Sequence, residues 1–167
     1  DIEYGETHNL ALDKNGDVIV AAVTKSFNFP VTAGAFQTQH GGNGGEYNQL
    51  GDGFVAKLAT DGSRLLASTY YGGASGEGLE GVSVDSLGNI YISGGTYSSN
   101  LATANPLMGS KNLGSGRPDA FAAKFSSDLT TLVFGTYLSG SGWDLGLASI
   151  VNHQGTAFNI VGETKSL

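Results

Sequence analysis

Short apolar runs, each about a strand long and bounded by Gly, Asp or Asn, recur along the whole chain. Ile90, Tyr91 and Ile92 put bulky groups on both faces of an extended segment, the pattern of a strand covered from both sides. Phe54 with Lys57, and Phe121 with Lys124, break strict alternation; the alanines between them suit close sheet packing. No window follows a helical period, so little or no helix is expected. The pattern predicts strands over 9–12, 17–24, 53–59 and 64–71, then 81–84, 89–96, 120–126 and 131–138, then 148–151 and 156–163.

The connections fall into sets. Asp13-Lys14-Asn15-Gly16, Asp85-Ser86-Leu87-Gly88, Asn152-His153-Gln154-Gly155, Thr60-Asp61-Gly62-Ser63 and Ser127-Asp128-Leu129-Thr130 read as tight turns. An Asx residue opens such a turn, and Gly takes its positive φ. The connections over 25–52 and 97–119 are long, and the Gly-rich links over 72–80 and 139–147 are intermediate. In a four-stranded meander the long loops and the links share one end of the sheet, and the tight turns share the other. Function is usually grafted on the longer loops, so that end is the candidate working face.

The segments also echo one another. Val84-Asp85-Ser86-Leu87-Gly88-Asn89 repeats Leu12-Asp13-Lys14-Asn15-Gly16-Asp17 at an offset of 72. Ala120-Phe121-Ala122-Ala123-Lys124-Phe125 repeats Gly53-Phe54-Val55-Ala56-Lys57-Leu58 at an offset of 67. Tyr70 and Tyr137, and Asp85 and Asn152, keep the 67 offset, while Thr96 and Thr164 stand 68 apart, which a β-bulge near Asn159 would explain. Repeating β-rich units of this length point to an array such as a propeller. The expected fold is all-β, with β-propeller blades of four antiparallel strands and about two and a half blades in this segment: blade 1 over about 8–72, blade 2 over about 80–139, and the start of blade 3 over about 147–167.

Composition narrows the picture. Of 167 residues, 27 are Gly, 40% are hydrophobic and 14% are charged. That apolar share is too high for a disordered chain. A net charge of −7 disfavours a nucleic acid or an anionic membrane as partner. No apolar run approaches the roughly 18 residues of a spanning helix. The absence of Cys excludes disulfides and thiolate chemistry.

Several segments together resemble a known family. Phe29-Pro30-Val31-Thr32-Ala33-Gly34-Ala35-Phe36-Gln37, Asp52-Gly53-Phe54-Val55-Ala56-Lys57-Leu58, Ser68-Thr69-Tyr70-Tyr71-Gly72-Gly73 and Val84 to Gly94 form an ordered series. Ala104-Asn105-Pro106-Leu107 and Asp119-Ala120-Phe121-Ala122-Ala123-Lys124-Phe125 continue it. The series resembles the bacterial beta-propeller repeat family (SBBP repeats) over nearly the whole chain. The resemblance implies four-stranded blades and an extracellular or cell-surface setting, and it implies no catalytic residue. Propellers hold about four to eight blades, so further blades are expected from a parent chain or from neighbouring copies.

Candidate chemistry is sparse. Asp52, Asp119, Asp85, Gly88, Tyr70 and Tyr137 recur at repeat positions and are assigned structural roles, because a catalytic group is needed once and a structural one in every unit. Asp52 and Asp119 are expected to accept N–H bonds from the loops that they close. Asp13, Asn15 and Asp17 have a spacing that suits Ca²⁺ or a plain Asx turn; no Glu completes a calcium loop, so no cofactor is expected and Ca²⁺ is the one alternative. His8, His40 and His153 lack metal-ligand spacing. Trp143, Asp144, Glu77, Glu80 and Tyr47, with Glu6, His8, His40 and Glu46 on the same face, are the candidate ligand-binding set, for a surface glycan or a protein. The leading expectation is a non-catalytic structural, adhesive or assembly module. A carbohydrate-binding module on the long-loop face is the alternative, and a glycan hydrolase or lyase using Glu77, Glu80 or Asp144 is the third reading.

Overall fold

The computed structural model describes residues 9–42, 51–112 and 117–167. The described residues form ten strands and no helix, so none of them belongs to a helix long and apolar enough to cross a membrane. Strands β1 (Leu10–Leu12), β2 (Val18–Thr24), β3 (Asp52–Leu58) and β4 (Leu65–Tyr71) make one antiparallel meander. Strands β5 (Glu77–Val84), β6 (Ile90–Thr96), β7 (Asp119–Phe125) and β8 (Leu132–Leu138) make a second, and β9 (Asp144–Val151) and β10 (Phe158–Thr164) make a two-stranded third. None of the three sheets closes on itself.

All ten expected strands form. The largest departures are β5 and β9, which start at Glu77 and Asp144 rather than at 81 and 148. Glycines hid these starts. Gly78 pairs with Gly95, and Leu79 with Gly94, so the ladder is continuous where the hydrophobic pattern is silent. Gly95 is needed for a close approach: a Cβ there would lie 2.4 Å from the Leu145 side chain of the third sheet.

The bulges repeat too. The register skips Glu80 in β5 and Leu147 in β9, at matching places. This corrects the expected bulge near Asn159. The extra residue that moves the offset from 67 to 68 lies in the turn, between the pairs Val84↔Ile90 and Val151↔Phe158. Asp85 N–H closes its turn on Asn89 O at 3.1 Å, whereas Asn152 N–H reaches one residue further along, to Ala157 O, at 2.9 Å.

The main core lies between the first two sheets and contains Ile19, Val55, Tyr71, Ile90, Phe121 and Phe125. The third sheet covers the opposite face of the second: the Phe158 and Tyr91 rings are 5.1 Å apart, and Val151 N–H donates to Ser83 Oγ at 3.0 Å. The second sheet is therefore the middle layer, and β6 is buried along its whole length, as its bulky faces predicted.

The turns follow the expected chemistry. Gly16, Gly88, Gly155 and Gly62 all have positive φ, but Leu129 takes the place of Gly62 in the second sheet, at φ 59°. A left-handed leucine costs roughly 1–2 kcal/mol. Leu129 is fully buried in the core, and full burial of a leucine contributes about 1.5–3 kcal/mol, so burial wins.

The long connections do not hang free in their described parts. After β2, Tyr70 Oη accepts from Phe29 N–H at 2.9 Å and donates to Ser26 O at 2.6 Å. After β6, Tyr137 Oη accepts from Leu101 N–H at 2.7 Å and donates to Ser98 O at 3.1 Å. The loops then run along the outer strands. Thr32 N–H donates to Ser68 O at 3.1 Å and Tyr70 N–H to Gln37 O at 3.1 Å; Ala104 and Gly135 exchange two bonds, and Tyr137 N–H donates to Met108 O at 3.1 Å. Edge strands β4 and β8 are thereby covered, which blunts unwanted pairing.

Candidate functional site: the long-loop end of the sheets

The pairs Thr24↔Asp52, Glu77↔Thr96, Thr96↔Asp119 and Thr164↔Asp144 set four acids at one end of the sheets, where the long loops and Gly-rich links emerge. The tight turns lie at the opposite end, as the meander topology required. Asp52, Glu77 and Asp119 are fully buried, and Asp144 nearly so.

Asp52, Glu77 and Asp144 each accept local hydrogen bonds, but both carboxylate oxygens of Asp119 are buried without one, which corrects the expectation that Asp119 accepts N–H bonds from the loop it closes. Asp52 accepts from Gly41 N–H at 2.6 Å and lies 3.4 Å from His40 Nδ1, so it closes its loop as expected. Burial nevertheless raises its carboxyl above the ordinary range, outweighing Gly41, His40 and Gln37. Asp119 has Lys111 Nζ at 3.9 Å. Burial raises Asp119 and lowers the Lys111 ammonium. Lys111 Nζ also donates to Arg117 O at 2.6 Å, which fastens the loop ahead of β7.

Glu77 and Asp144, read from the sequence as ligand candidates, turn out to be a matched pair. Glu77 accepts from Gly73 N–H at 3.1 Å and from Thr96 Oγ1 at 2.7 Å. Asp144 accepts from Gly140 N–H at 2.8 Å, from Thr164 Oγ1, and from Ser166 Oγ at 2.9 Å. Both acids tie the preceding link to the end of the next strand. The Glu-for-Asp exchange masked this echo; the Thr96/Thr164 echo was the available signal. Burial raises the Glu77 carboxyl to about 7, against the bonds from Ser98, Thr96 and Gly73.

Glu80 is half-buried at the β5 bulge, and burial raises its carboxyl to about 7. Trp143 is also half-buried; its ring lies 5.8 Å from Lys165 Nζ, and its carbonyl accepts from Lys165 N–H at 2.9 Å. Glu80 is the residue that the β5 ladder skips. Tyr47, Glu46, Glu6 and His8 lie outside the described residues. Beside Asp144 a groove of about 480 Å³ runs between the second and third sheets, lined by Ala120, Leu138, Leu145, Ile160, Gly162 and Thr164 among others. Asp52, Glu77 and Asp119 have no solvent-facing surface, whereas Asp144 and the exposed Glu163 line the groove.

The opposite end carries a feature that the sequence reading passed over. Lys57 Nζ lies 2.7 Å from Asp13 and 3.4 Å from Asp17, and Lys124 Nζ lies 3.7 Å from Asp85. The two lysines occupy one repeat position, and this was the signal. Asp13 Oδ1 also accepts from Asn15 N–H at 2.8 Å and from Asp17 N–H at 3.0 Å, which is the Asx turn. Burial opposes ionisation of Asp13, but Lys57 and these two amides hold its carboxyl below the ordinary range. Asp13→Asn keeps the turn and weakens the ion pair; it should cost about 1–2 kcal/mol near neutral pH. The depressed folded value makes this stabilisation present above the unfolded value and lost as pH falls through the folded one. Urea unfolding of both proteins should show the gap closing in acid; a gap that persists there would contradict the pairing.

Among the described residues, no group of three or more His, Cys, Asp or Glu side chains is placed to hold a metal ion. No family model matches the chain, and no curated protein matches it.

Proposed function

We propose that this chain is a section of a β-propeller, about two and a half blades long, and that it serves a non-catalytic structural or adhesive role in an extracellular or cell-surface protein. The observation that carries this reading is the burial of Asp52, Glu77, Asp119 and Asp144 at repeated positions, where Asp52, Glu77 and Asp144 hold their loops or links by hydrogen bonds and Asp119 faces Lys111. The meander order of each sheet supports the blade assignment, as does the position of β5 against both β2 and β9. The resemblance to the beta-propeller repeat family points the same way.

Both ends of the stack expose apolar side chains. Leu10 and Leu12 are 61% and 60% exposed on the first sheet, and Ile150 and Val161 are 64% and 70% exposed on the third. Such surfaces ask for further blades, from the parent chain or from neighbouring copies. Sedimentation velocity should therefore show concentration-dependent association of this chain. A compact monomer at every concentration would count against the reading.

One observation favours a second reading, a carbohydrate-binding module. Trp143 is partly exposed at the long-loop end, next in sequence to Asp144, which lines the groove, and indole faces stack on sugar rings. On a glycan array this reading expects binding that falls at least about tenfold in Trp143→Ala, the loss of one well-packed aromatic anchor. Binding that survives the substitution, or none at all, leaves the structural role.

A further inference from the structure

We propose that the free edge of β10, with the groove beside it, is a strand-acceptor site. Its occupant is an antiparallel β-strand of the pattern Asp, small, Phe, any, Ala, neutral, large apolar, set with its Asp opposite Thr164. The proposal rests on the repeat reading above and adds to it a register, a sequence pattern and a charge preference.

The register comes from the two complete sheets. β2 takes β3 with Thr24 opposite Asp52, Ala22 opposite Phe54 and Ile19 opposite Lys57. β6 takes β7 with Thr96 opposite Asp119, Gly94 opposite Phe121 and Tyr91 opposite Lys124. β10 has Thr164, Gly162 and Asn159 at the corresponding places; β9 pairs with them on one side, and among the described residues no strand pairs with them on the other. Asn159, Val161, Gly162 and Glu163 are exposed. The other outer edges, β4 and β8, are covered by their own loops, so β10 is left as a template for main-chain pairing.

The groove accounts for the Phe. In the second sheet Phe121 is fully buried and packs on Tyr71 at a centroid distance of 5.6 Å. Leu138 stands where Tyr71 stands, one unit later, and it lines the groove together with Gly162. A ring opposite Gly162 would therefore fill space that is now open. A second copy of this chain cannot supply the strand from its described sheets as they stand, because its β3 and β7 are each paired on both sides. The occupant is a strand of this pattern that is still unpaired.

The charge preference separates this site from the other two. Lys57 meets Asp13 and Asp17; Lys124 meets Asp85, with Asn89 in the second place. The third unit has Asn152 and Thr156 there, so no carboxylate awaits a lysine opposite Asn159. Desolvating an ammonium with no partner is unfavourable. A neutral residue fits the site better.

The test uses the whole 167-residue chain and a labelled peptide copying residues 118–126. Binding should saturate below about 1 mM, and hydrogen exchange should show new protection in Phe158–Thr164 and none in Leu10–Leu12. Lys124→Gln in the peptide should bind about threefold or more tighter, and Phe121→Ala about tenfold or more weaker. No saturation, protection at β1 instead of β10, or a preference for the lysine peptide would overturn the proposal. A chain that self-associates yet leaves β10 unprotected by the peptide would sink the acceptor alone; a peptide-binding strict monomer would sink only the wider reading.

Discussion

Tyr137→Ala should lower the stability of this chain by about 3–5 kcal/mol, the largest effect expected of any single substitution considered. The ring is fully buried in the core, so its removal loses apolar burial and leaves a cavity. The hydroxyl adds a second loss. It accepts from Leu101 N–H and donates to Ser98 O, so the start of the 97–118 connection loses its anchor. A thermal melt should drop by roughly 6–15 °C for a chain of this size. Tyr137→Phe separates the two contributions: it keeps the ring and should cost about 1–2 kcal/mol, from the stranded Leu101 amide. An alanine variant that melts with the parent protein would contradict the packing. A phenylalanine variant as unstable as the alanine one would place the whole effect in the hydroxyl.

Stability should also fall as the pH rises from about 4.5 to about 7, and Glu77 should carry the greater part of the fall. Its folded value lies above its unfolded one, so the folded state holds the proton more tightly across that window. Below 4.5 both states are protonated and the penalty is absent; above 7 both are ionised and the penalty is complete. The difference corresponds to roughly 3 kcal/mol, at about 1.4 kcal/mol per unit. The groups that face Glu77 explain the sign: full burial disfavours its charge and Asp52 repels it, which outweighs the bonds from Ser98, Thr96 and Gly73. Lys111 is also near enough to feel Glu77. Glu77→Gln mimics the protonated acid. It should be nearly neutral at pH 4 and stabilising by about 2–3 kcal/mol at pH 8. Glu80 titrates in the same range, so Glu80→Gln is the control, with a smaller effect because it is only half-buried. Chemical denaturation across pH would decide the matter. A Gln variant that loses more stability at pH 8 than at pH 4 would mean that the ionised carboxylate is needed.

The two acid effects run in opposite directions for one reason. Asp13 meets an ammonium and two amides, and its charge is favoured. Glu77 meets a hydroxyl, an amide and another acid in a dry place, and its charge is disfavoured. Nothing in the residue types alone distinguishes these cases. The sequence reading placed Glu77 and Asp144 on a ligand face because both sit in Gly-rich links; their burial depends on strands that start four residues earlier than the hydrophobic pattern shows.

The strands, the turns and the repeat were legible in the chain because they are local. A strand needs a few neighbouring apolar residues, and a turn needs an Asx and a Gly at fixed places. Repetition made the structural roles of Tyr70 and Tyr137 visible, because the same residue returned at the same offset. The echo of Glu77 in Asp144 was missed for want of an identical residue, and the lysine partners of Asp13 and Asp85 for want of any sequence neighbour.

By itself, then, the sequence determined the all-β character and the ten strands of the described residues, their antiparallel order in meanders, and the separation of long loops from tight turns. Only the tertiary structure decided which carboxylates are dry, which lysines are paired, where the long loops lie, and which strand edge is bare. Local pattern reports the covalent neighbourhood of a residue. Burial, ion pairing and edge exposure arise from groups far apart along the chain that packing alone brings together.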